Sequence, residues 1–376
     1  MDSPWTWDER AILDSVGRIR ADRSLAPPTW PDDARVAVAL SFDSDHETIW
    51  LRDGIAHPGM LSQGEYGART AVPRIIELLR HHQIPASFFI PGVCALLRPG
   101  EVRGYIDEGH EVGLHGWIHE RNTSLSATVE RDLTLRAADA LTRAAGVPPA
   151  GIRTPSWDFS LATFGIIAEL GLRYDSSLMA ADDPYEILAD GAPTGVVEIP
   201  VEWIRDDAPY FPVDPARTTV PPRDIGRMWR DEFDLAYAER GLFQLTMHPH
   251  VIGHRSRIVA LVDLIDHIAS HAGVWFATHD DVARYVGGRL GLAGSADAAS
   301  LTGPGGGLGS GGGTGSSGGT CPGGRAGYGD GAGPGGRVGP RGGAGSGGGL
   351  GYGGGLGSSG GLGSSGGAGS GGGEAR

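Results

Sequence analysis

The sequence has few cysteines and no long apolar run. Only two cysteines, Cys94 and Cys321, occur in 376 residues, so we expect no structural disulfide, as in a reducing compartment. No segment reaches the uninterrupted apolar length that a membrane helix needs. The N-terminal residues lack a basic stretch followed by an apolar core, so we expect no secretion signal. These absences together predict a cytoplasmic protein that does not bind membranes.

Positive charge is also scarce, since the formal net charge is -14. That balance argues against nucleic acid or an anionic membrane surface as a main partner, although it does not identify a substrate. Large apolar side chains are rare in residues 295–376, about half of which are glycine, with serine, alanine and proline between. Such a segment buries too little surface to offset its ordering entropy. We expect a disordered tail without catalytic residues.

Between residues 35 and 290 the sequence alternates short apolar runs with amphipathic segments. The alternation predicts parallel strands joined by crossover helices, and the length favours a (β/α) barrel over an open sheet. We predict a short helix at Glu9–Arg20 in a polar lead-in and a long, functional or mobile connection from His46 to Gly67. The predicted strands are Arg35–Leu40, Ala86–Ile90, Glu111–His115, Gly151–Arg153, Leu172–Tyr174, Val196–Val201, Leu242–Met247 and Val274–Thr278. The predicted helices are Arg69–Gln83, Glu101–Gly109, Leu125–Ala145, Leu161–Leu170, Arg223–Arg240 and Arg257–His271.

Two aspartates follow the first predicted barrel strand. Asp43 and Asp45 lie two residues apart, so extended backbone projects both carboxylates from one face. Two adjacent anions repel each other unless a cation lies between them or one of them is protonated. In a parallel barrel, reactive residues collect where the strands end. Polar residues recur at such strand ends in His115–Glu120, in Arg153–Trp157 and in His248–His250. This recurrence favours a functional role for Asp43 and Asp45 over an ordinary solvated turn.

His115 and His119 lie four residues apart and can present two imidazoles to one ion. Together with the Asp45 carboxylate they predict a two-histidine, one-aspartate site with open coordination positions, typical of catalytic Zn²⁺. These ligands suit Co²⁺ and Ni²⁺ as well. Aromatic residues near the strand ends are candidates for lining a substrate pocket, namely Tyr66, Trp117, Trp157 and Trp203.

With these motifs in place, the chain resembles the polysaccharide deacetylase, or NodB-homology, superfamily. Four stretches carry the resemblance: Ser41-Phe-Asp-Ser-Asp45, His115-Gly-Trp-Ile-His119, Arg153-Thr-Pro155 and the strand that runs into His248. The chain is most similar to the branch of intracellular peptidoglycan-deacetylase-like proteins, cyclic imide hydrolases and metal-independent allantoinases, through Glu65-Tyr-Gly67, Arg153–Ser160, Pro222–Gly226 and Thr246–Pro249. The resemblance implies a lead-in at 1–34, a catalytic domain at 35–290 on a distorted (β/α) barrel, and the tail at 295–376.

The resemblance also implies a role for each matching position. Asp45, His115 and His119 would hold the metal, and Asp43 would be the general base that activates water. His248 would be the general acid that protonates the departing nitrogen, and Arg153 would keep Asp43 ionised and oriented. A homo-oligomer, often a tetramer in this branch, is implied in the same way.

These residues predict a metal-dependent hydrolase of carbon–nitrogen bonds other than peptide bonds. Two substrate classes remain open: an N-acetylated amino sugar, as in carbohydrate metabolism, and a small cyclic amide or imide. A barrel that binds without catalysis is less favoured, because all six of the positions given roles above hold the expected residues. A metal-free, allantoinase-like reaction is less favoured for a related reason, since it would leave the Asp-His-His set unexplained.

Overall fold

A curled, mixed β-sheet organises the fold. In the computed structural model, which describes residues 3–212, 219–289 and 291, the sheet has ten strands. They are β1 (Ile19–Ser24), β2 (Val36–Asp43), β3 (Ser87–Ile90), β4 (Glu111–Leu114), β5 (Gly151–Ile152), β6 (Tyr174–Asp175), β7 (Tyr185–Ala189), β8 (Ala192–Glu198), β9 (Leu242–Met247) and β10 (Val274–Phe276). Their order is β1-β7-β8-β6-β5-β4-β3-β2-β10, and β9 also pairs with β2. All pairs are parallel except β1 with β7 and β7 with β8.

Helices connect the strands and cover the outer face of the sheet. They are α1 (Glu9–Gly17), α2 (Thr48–Leu51), α3 (Pro58–Tyr66), α4 (Val72–His82), α5 (Gly92–Leu97), α6 (Pro99–Asp107), α7 (Ala127–Ala145), α8 (Thr163–Leu170), α9 (Pro222–Glu239), α10 (Pro249–Ile252), α11 (Ile258–Ala269) and α12 (His279–Arg289). Helix α7 illustrates how local sequence sets the bounds: the Ser126 side chain caps its first turn, and Gly146, with φ 81°, ends it. The predicted distorted (β/α) barrel is confirmed.

Strand β2 divides the core and places the first aspartate. All eight of its residues are buried, and successive side chains face opposite sides. Val36, Val38, Leu40 and Phe42 pack in the large core with the apolar faces of the outer helices. Ala37 and Ala39 face the other way, into a second cluster with Phe89 and Tyr174. Since Asp43 has the same parity as these alanines, its carboxylate points to the barrel interior.

Segments that differ from the sequence prediction lie at one end of the sheet and after β2. The predicted helix Glu9–Arg20 stops at Gly17, and the lead-in then forms strand β1, which pairs antiparallel with β7. Strand β7 was not predicted. It joins β8 through Asp190 and Gly191, whose φ angles of 46° and 79° fit a two-residue hairpin turn. The predicted strand Val196–Val201 is therefore the end of a longer strand and the coil after it.

The connection His46–Gly67 is largely helical rather than irregular. It contains α2 and α3, and a π-helical turn at Gly67–Ala71 follows α3 directly. Its glycines suggested a loop, but Gly64 packs directly against the backbone of His46, where a side chain would collide. Close packing, not flexibility, explains this glycine.

The described residues lie in one compact unit. None of their helices is long and apolar enough to cross a membrane. The predicted disordered tail at residues 295–376 lies outside the described residues.

Candidate active site

The Asp43 carboxylate is held by a buried arginine inside the barrel. Arg153 donates from Nη1 to Asp43 Oδ1 at 2.7 Å, and the same nitrogen donates to Ser41 Oγ at 2.9 Å. Its Nε donates to the Ser176 carbonyl oxygen at 3.0 Å. Arg153 Nη2 lies 3.1 Å from Nε2 of His279, which must accept because a guanidinium only donates. Burial, reinforced by Arg153, lowers the pKa of His279 well below its usual value, so His279 is a neutral acceptor.

Asp45, His115 and His119 converge beside this pair. His115 Nε2 lies 3.3 Å from Asp45 Oδ1, and His119 Nε2 lies 3.4 Å from Asp45 Oδ2. One ligand-capable atom from each residue can be chosen so that all lie within 4.8 Å of one another, a spacing that could hold a metal ion. Burial alone would raise the pKa of Asp45, but His119 and His115 outweigh it and hold the pKa well below its usual value. The carboxylate is therefore ionised.

His115 has its ring orientation set by the backbone. Its Nδ1 lies 2.7 Å from the Arg153 carbonyl oxygen, so Nδ1 carries a proton and donates it. In the neutral ring, Nε2 then presents a lone pair toward Asp45. Although burial opposes it, the Asp43 and Asp45 carboxylates raise the pKa of His115 in the absence of a cation.

His119 has the opposite arrangement because of Arg52. Arg52 Nη1 lies 2.6 Å from His119 Nδ1, and the guanidinium can only donate, so Nδ1 accepts. Burial, with the neighbouring cations, lowers the pKa of His119 to about 4. The neutral ring therefore carries its proton on Nε2, facing Asp45. Ligation of a metal through Nε2 requires that Arg52 release Nδ1.

His248 approaches the two aspartates from the end of β9. Its Nε2 lies 4.0 Å from Asp43 Oδ2 and 3.7 Å from Asp45 Oδ2. Its Nδ1 lies 2.6 Å from Asp207 Oδ1, an ionic hydrogen bond that fixes the ring. Burial opposes protonation of His248, but Asp206 and Asp207 outweigh it and raise the pKa well above its usual value. His248 is therefore an imidazolium whose Nε2–H faces the cavity.

Five of the residues described above line a cavity of about 260 Å³ at the C-terminal ends of the strands, namely Asp43, Asp45, His115, His119 and His248. Trp157 and Trp203 line its wall, with ring centroids 4.1 Å apart. Trp157, Ser156 and His119 have φ angles of 55°, 55° and 62°, uncommon for residues other than glycine and typical of strained functional sites.

Two predicted pocket residues are not among the lining residues of this cavity. The ring of Tyr66 stacks on His254 at 4.3 Å. Trp117 packs under the Arg136 guanidinium, 3.8 Å from the ring centroid. Both aromatics fill space between elements, which their position near a strand end could not reveal.

Three ionisable residues of the cavity were given no role by the sequence analysis: Arg52, Asp206 and His250. His250 is buried at the cavity, and burial lowers its pKa to about 3. Burial raises the pKa of Asp206 to about 7, with the Asp207 charge adding to the effect. Asp206 and Asp207 could have been found from the sequence, since they come after the predicted strand Val196–Val201 much as Asp43 and Asp45 come after theirs. No sequence pattern points to Arg52, because only the fold of α2 brings it to His119.

A barrel whose strand ends gather carboxylates, imidazoles and a buried guanidinium around one small cavity has the architecture of a hydrolase. The family model for polysaccharide deacetylases matches residues 36–174. The peptidoglycan deacetylase of Helicobacter pylori is 31% identical over 278 residues, covering 66% of this chain and 95% of that protein. The chain belongs to the polysaccharide deacetylase family, in the NodB-homology superfamily. It is a hydrolase of carbon–nitrogen bonds other than peptide bonds.

Solved structures agree with this assignment. A structure described as a polysaccharide deacetylase from Mycobacterium smegmatis is 33% identical, with a TM-score of 0.67, and the match covers 72% of this chain and 96% of that one. An allantoinase structure is 26% identical, with a TM-score of 0.61, and the match covers 69% of this chain and 93% of that one. The fold is thus shared by proteins described as acting on different substrates.

Proposed function

We propose that the protein is a metal-dependent deacetylase that removes N-acetyl groups from amino sugars. The observation that carries the proposal is that Asp43 and His248 lie beside Asp45, whose carboxylate also faces the imidazoles of His115 and His119. A base, an acid and a metal-ligand set thus share one cavity. We also propose a cytoplasmic location and a homo-oligomer, both of which stay predictions from the sequence.

Asp45, His115 and His119 would hold the ion, and Zn²⁺ is the first candidate, with Co²⁺ or Ni²⁺ as alternatives. Asp45 Oδ1 supports the fit, because it is buried without a hydrogen-bond partner among the described residues. A buried carboxylate oxygen left unpaired is costly, and a cation would satisfy it. The lone pair of His115 Nε2 supports the fit as well. When bound, such an ion polarises the substrate carbonyl and lowers the pKa of water.

Asp43 acts as the general base in this proposal. Its Oδ1 is engaged by Arg153, which leaves Oδ2, on the side of His115 and His248, to take a proton. The guanidinium orients the carboxylate through a charge-assisted hydrogen bond. Arg153 is a positioning residue, since its own nitrogens are occupied by protein groups.

His248 acts as the general acid. Asp207 accepts the Nδ1 proton, so the second proton lies on Nε2, directed at the cavity. A protonated imidazole beside the scissile bond can donate to the departing nitrogen and make it a better leaving group. The raised pKa of His248 keeps this proton in place at neutral pH.

The cavity favours a small reacting group. A volume of about 260 Å³ is below the usual range for ligand pockets, so it suits one ring or a chain end. The adjacent rings of Trp157 and Trp203, tilted by 37° to each other, offer an aromatic surface for such a ring. A small cyclic amide or imide would fit the same space, and the allantoinase neighbour makes this the second candidate.

The test compares both substrate classes on the metal-stripped protein reloaded with Zn²⁺ or Co²⁺. Acetate release is followed on N-acetylglucosamine oligomers, and ring opening on cyclic imides and hydantoins. We expect acetate release that needs metal and that falls about 10²- to 10⁴-fold in Asp43→Asn, because general-base catalysis contributes about that factor.

Zn²⁺ binding by the Asp43→Asn protein, measured by dialysis, tests whether the metal site is intact in this variant. Ring opening without acetate release would replace the first substrate class by the second. Full activity of Asp43→Asn, or activity in the metal-stripped protein, would contradict the mechanism.

A further inference from the structure

We propose that Asp234, His267 and His271 form a second divalent-metal site on the outside of the barrel, between α9 and α11. Asp234 lies on α9, His267 in the last turn of α11, and His271 two residues beyond the end of that helix. One ligand-capable atom from each residue can be chosen so that all lie within 4.8 Å of one another. None of the three residues lines the catalytic cavity, so the proposal is independent of the function proposed above.

His271 is already oriented as a ligand. Its Nδ1 lies 2.9 Å from the His267 carbonyl oxygen, so this nitrogen must donate a proton. In the neutral ring, Nε2 then has a free lone pair, and it lies 3.9 Å from Asp234 Oδ1. The ring packs edge-on against Tyr237 and Phe233, with centroids 4.9 and 5.2 Å away. A backbone acceptor on the far nitrogen and fixed ring packing are what metal-binding histidines usually have.

His267 supplies the second imidazole, which is already hydrogen-bonded to Asp234. Its Nε2 lies 2.7 Å from Asp234 Oδ1. A divalent ion would replace the proton between these two atoms. Ligand atoms about 2.0–2.2 Å from Zn²⁺ in a tetrahedral shell lie roughly 3.3 Å apart. That separation falls between the two distances measured to Asp234 Oδ1, so small side-chain movements suffice.

Solvent reaches the site. The side chains of His267, His271 and Asp234 are 27%, 26% and 49% exposed, so an ion can enter and water can complete its shell. Two imidazoles and one carboxylate select Zn²⁺, Ni²⁺ or Cu²⁺ rather than Mg²⁺ or Ca²⁺. A bound ion would join α9 to α11, which makes the site a cross-link between outer helices and adds a second equivalent to metal titrations of the protein.

The experiment measures Zn²⁺ binding to the full chain by equilibrium dialysis and metal analysis. An Asp45→Asn background weakens the barrel site, and His271→Gln is introduced into it. His57→Gln is the matched control, because it removes an exposed histidine that belongs to none of the metal-capable groups. Every other residue is common to the two proteins, so their difference reports the outer site alone.

We expect His271→Gln to weaken one equivalent of Zn²⁺ by more than tenfold and to abolish the Zn²⁺-induced rise in melting temperature of the Asp45→Asn protein. His57→Gln should change neither quantity. If the Asp45→Asn protein does not fold, the same comparison is made in the wild-type protein. There His271→Gln should lower Zn²⁺ binding from two equivalents to one. Equal Zn²⁺ binding by the His271→Gln and His57→Gln proteins would overturn the proposal and leave Asp234 and His267 as an ordinary surface ion pair.

Discussion

At the scale of single residues, the partner on the far nitrogen decides what each imidazole of the site can do. The Arg153 carbonyl oxygen accepts from His115, which frees its inner nitrogen as a ligand. Asp207 accepts from His248, whose inner nitrogen then carries a proton. Arg52 donates to His119, and the proton of that ring therefore faces Asp45. These three histidines have different protonation patterns, because the guanidinium only donates, the carbonyl oxygen only accepts, and the carboxylates of Asp206 and Asp207 also stabilise the imidazolium of His248.

The charge of Asp207 should set the alkaline limit of activity. Because the pKa of His248 is raised in the folded protein, the imidazolium is present below that pKa and is lost as pH rises through it. Asp207→Asn keeps an acceptor for Nδ1 but removes the charge, so the alkaline limb of kcat/KM should move to lower pH. NMR titration of His248 in the metal-free variant should give a lower pKa than in the wild-type protein. An unmoved limb with a lowered pKa would exclude His248 as the acid.

Loss of Arg52 should strengthen metal binding. In Arg52→Ala nothing donates to His119 Nδ1, so the ring can place its proton there and offer Nε2 to an ion. We expect Zn²⁺ affinity, measured by chelator competition, to rise about tenfold or more. Nitrogen NMR of the metal-free proteins should show the His119 proton on Nε2 in the wild type and on Nδ1 in the variant. Unchanged affinity and tautomer would contradict the geometry.

At the scale of elements, the site depends on how α3 packs over the segment that follows β2. Gly64 of α3 lies against the residue directly after Asp45: a Cβ on Gly64 would be 2.3 Å from the carbonyl carbon of His46. Backbone cannot yield as a flexible side chain can. The helix therefore holds in place the turn that carries a metal-ligand candidate, which joins local packing to the chemistry of the cavity.

Gly64→Ala should therefore destabilise the protein by about 1–3 kcal/mol, the usual cost of overpacking a core. Zn²⁺ affinity should fall as well, since the turn after Asp45 must shift. Gly59→Ala in the same helix is the control: a Cβ added at Gly59 would meet no atom within 4 Å, and the φ of this residue is not in the left-handed region. We expect it to change the free energy of unfolding by less than about 0.5 kcal/mol. Urea unfolding measures both, and equal effects would disprove the close contact.

At the scale of the whole molecule, the lead-in is part of the sheet. Strand β1 pairs with β7, and Arg23 donates to the buried Glu186 of that strand at 2.7 Å. The hairpin β7–β8 pairs in turn with β6. The first residues of the chain therefore stabilise the far end of the same sheet that carries the catalytic strands.

Deleting residues 1–24 should therefore lower both the free energy of unfolding and the urea m-value, because less surface is buried and β7 loses one of its two neighbouring strands. The cavity is built from other strands, so kcat of the folded truncated protein should stay within about twofold of the full chain, an effect below about 0.4 kcal/mol. Urea titration and the acetate assay measure the two quantities. An unchanged midpoint and m-value would show that β1 contributes nothing to stability.

The sequence by itself determined the barrel and the candidate residues of its centre. Strand periodicity is local, and parallel strands all end at one face, so Asp43, Asp45, His115, Arg153 and His248 could be grouped without coordinates. Only the tertiary structure decided which neighbours complete the group. Arg52 reaches it only through the fold of α2, which no sequence spacing encodes, and tertiary packing likewise places Tyr66 and Trp117 against His254 and Arg136, outside the cavity lining. Proton positions were equally beyond the sequence, because they depend on which donor or acceptor lies within about 3 Å of each ring nitrogen.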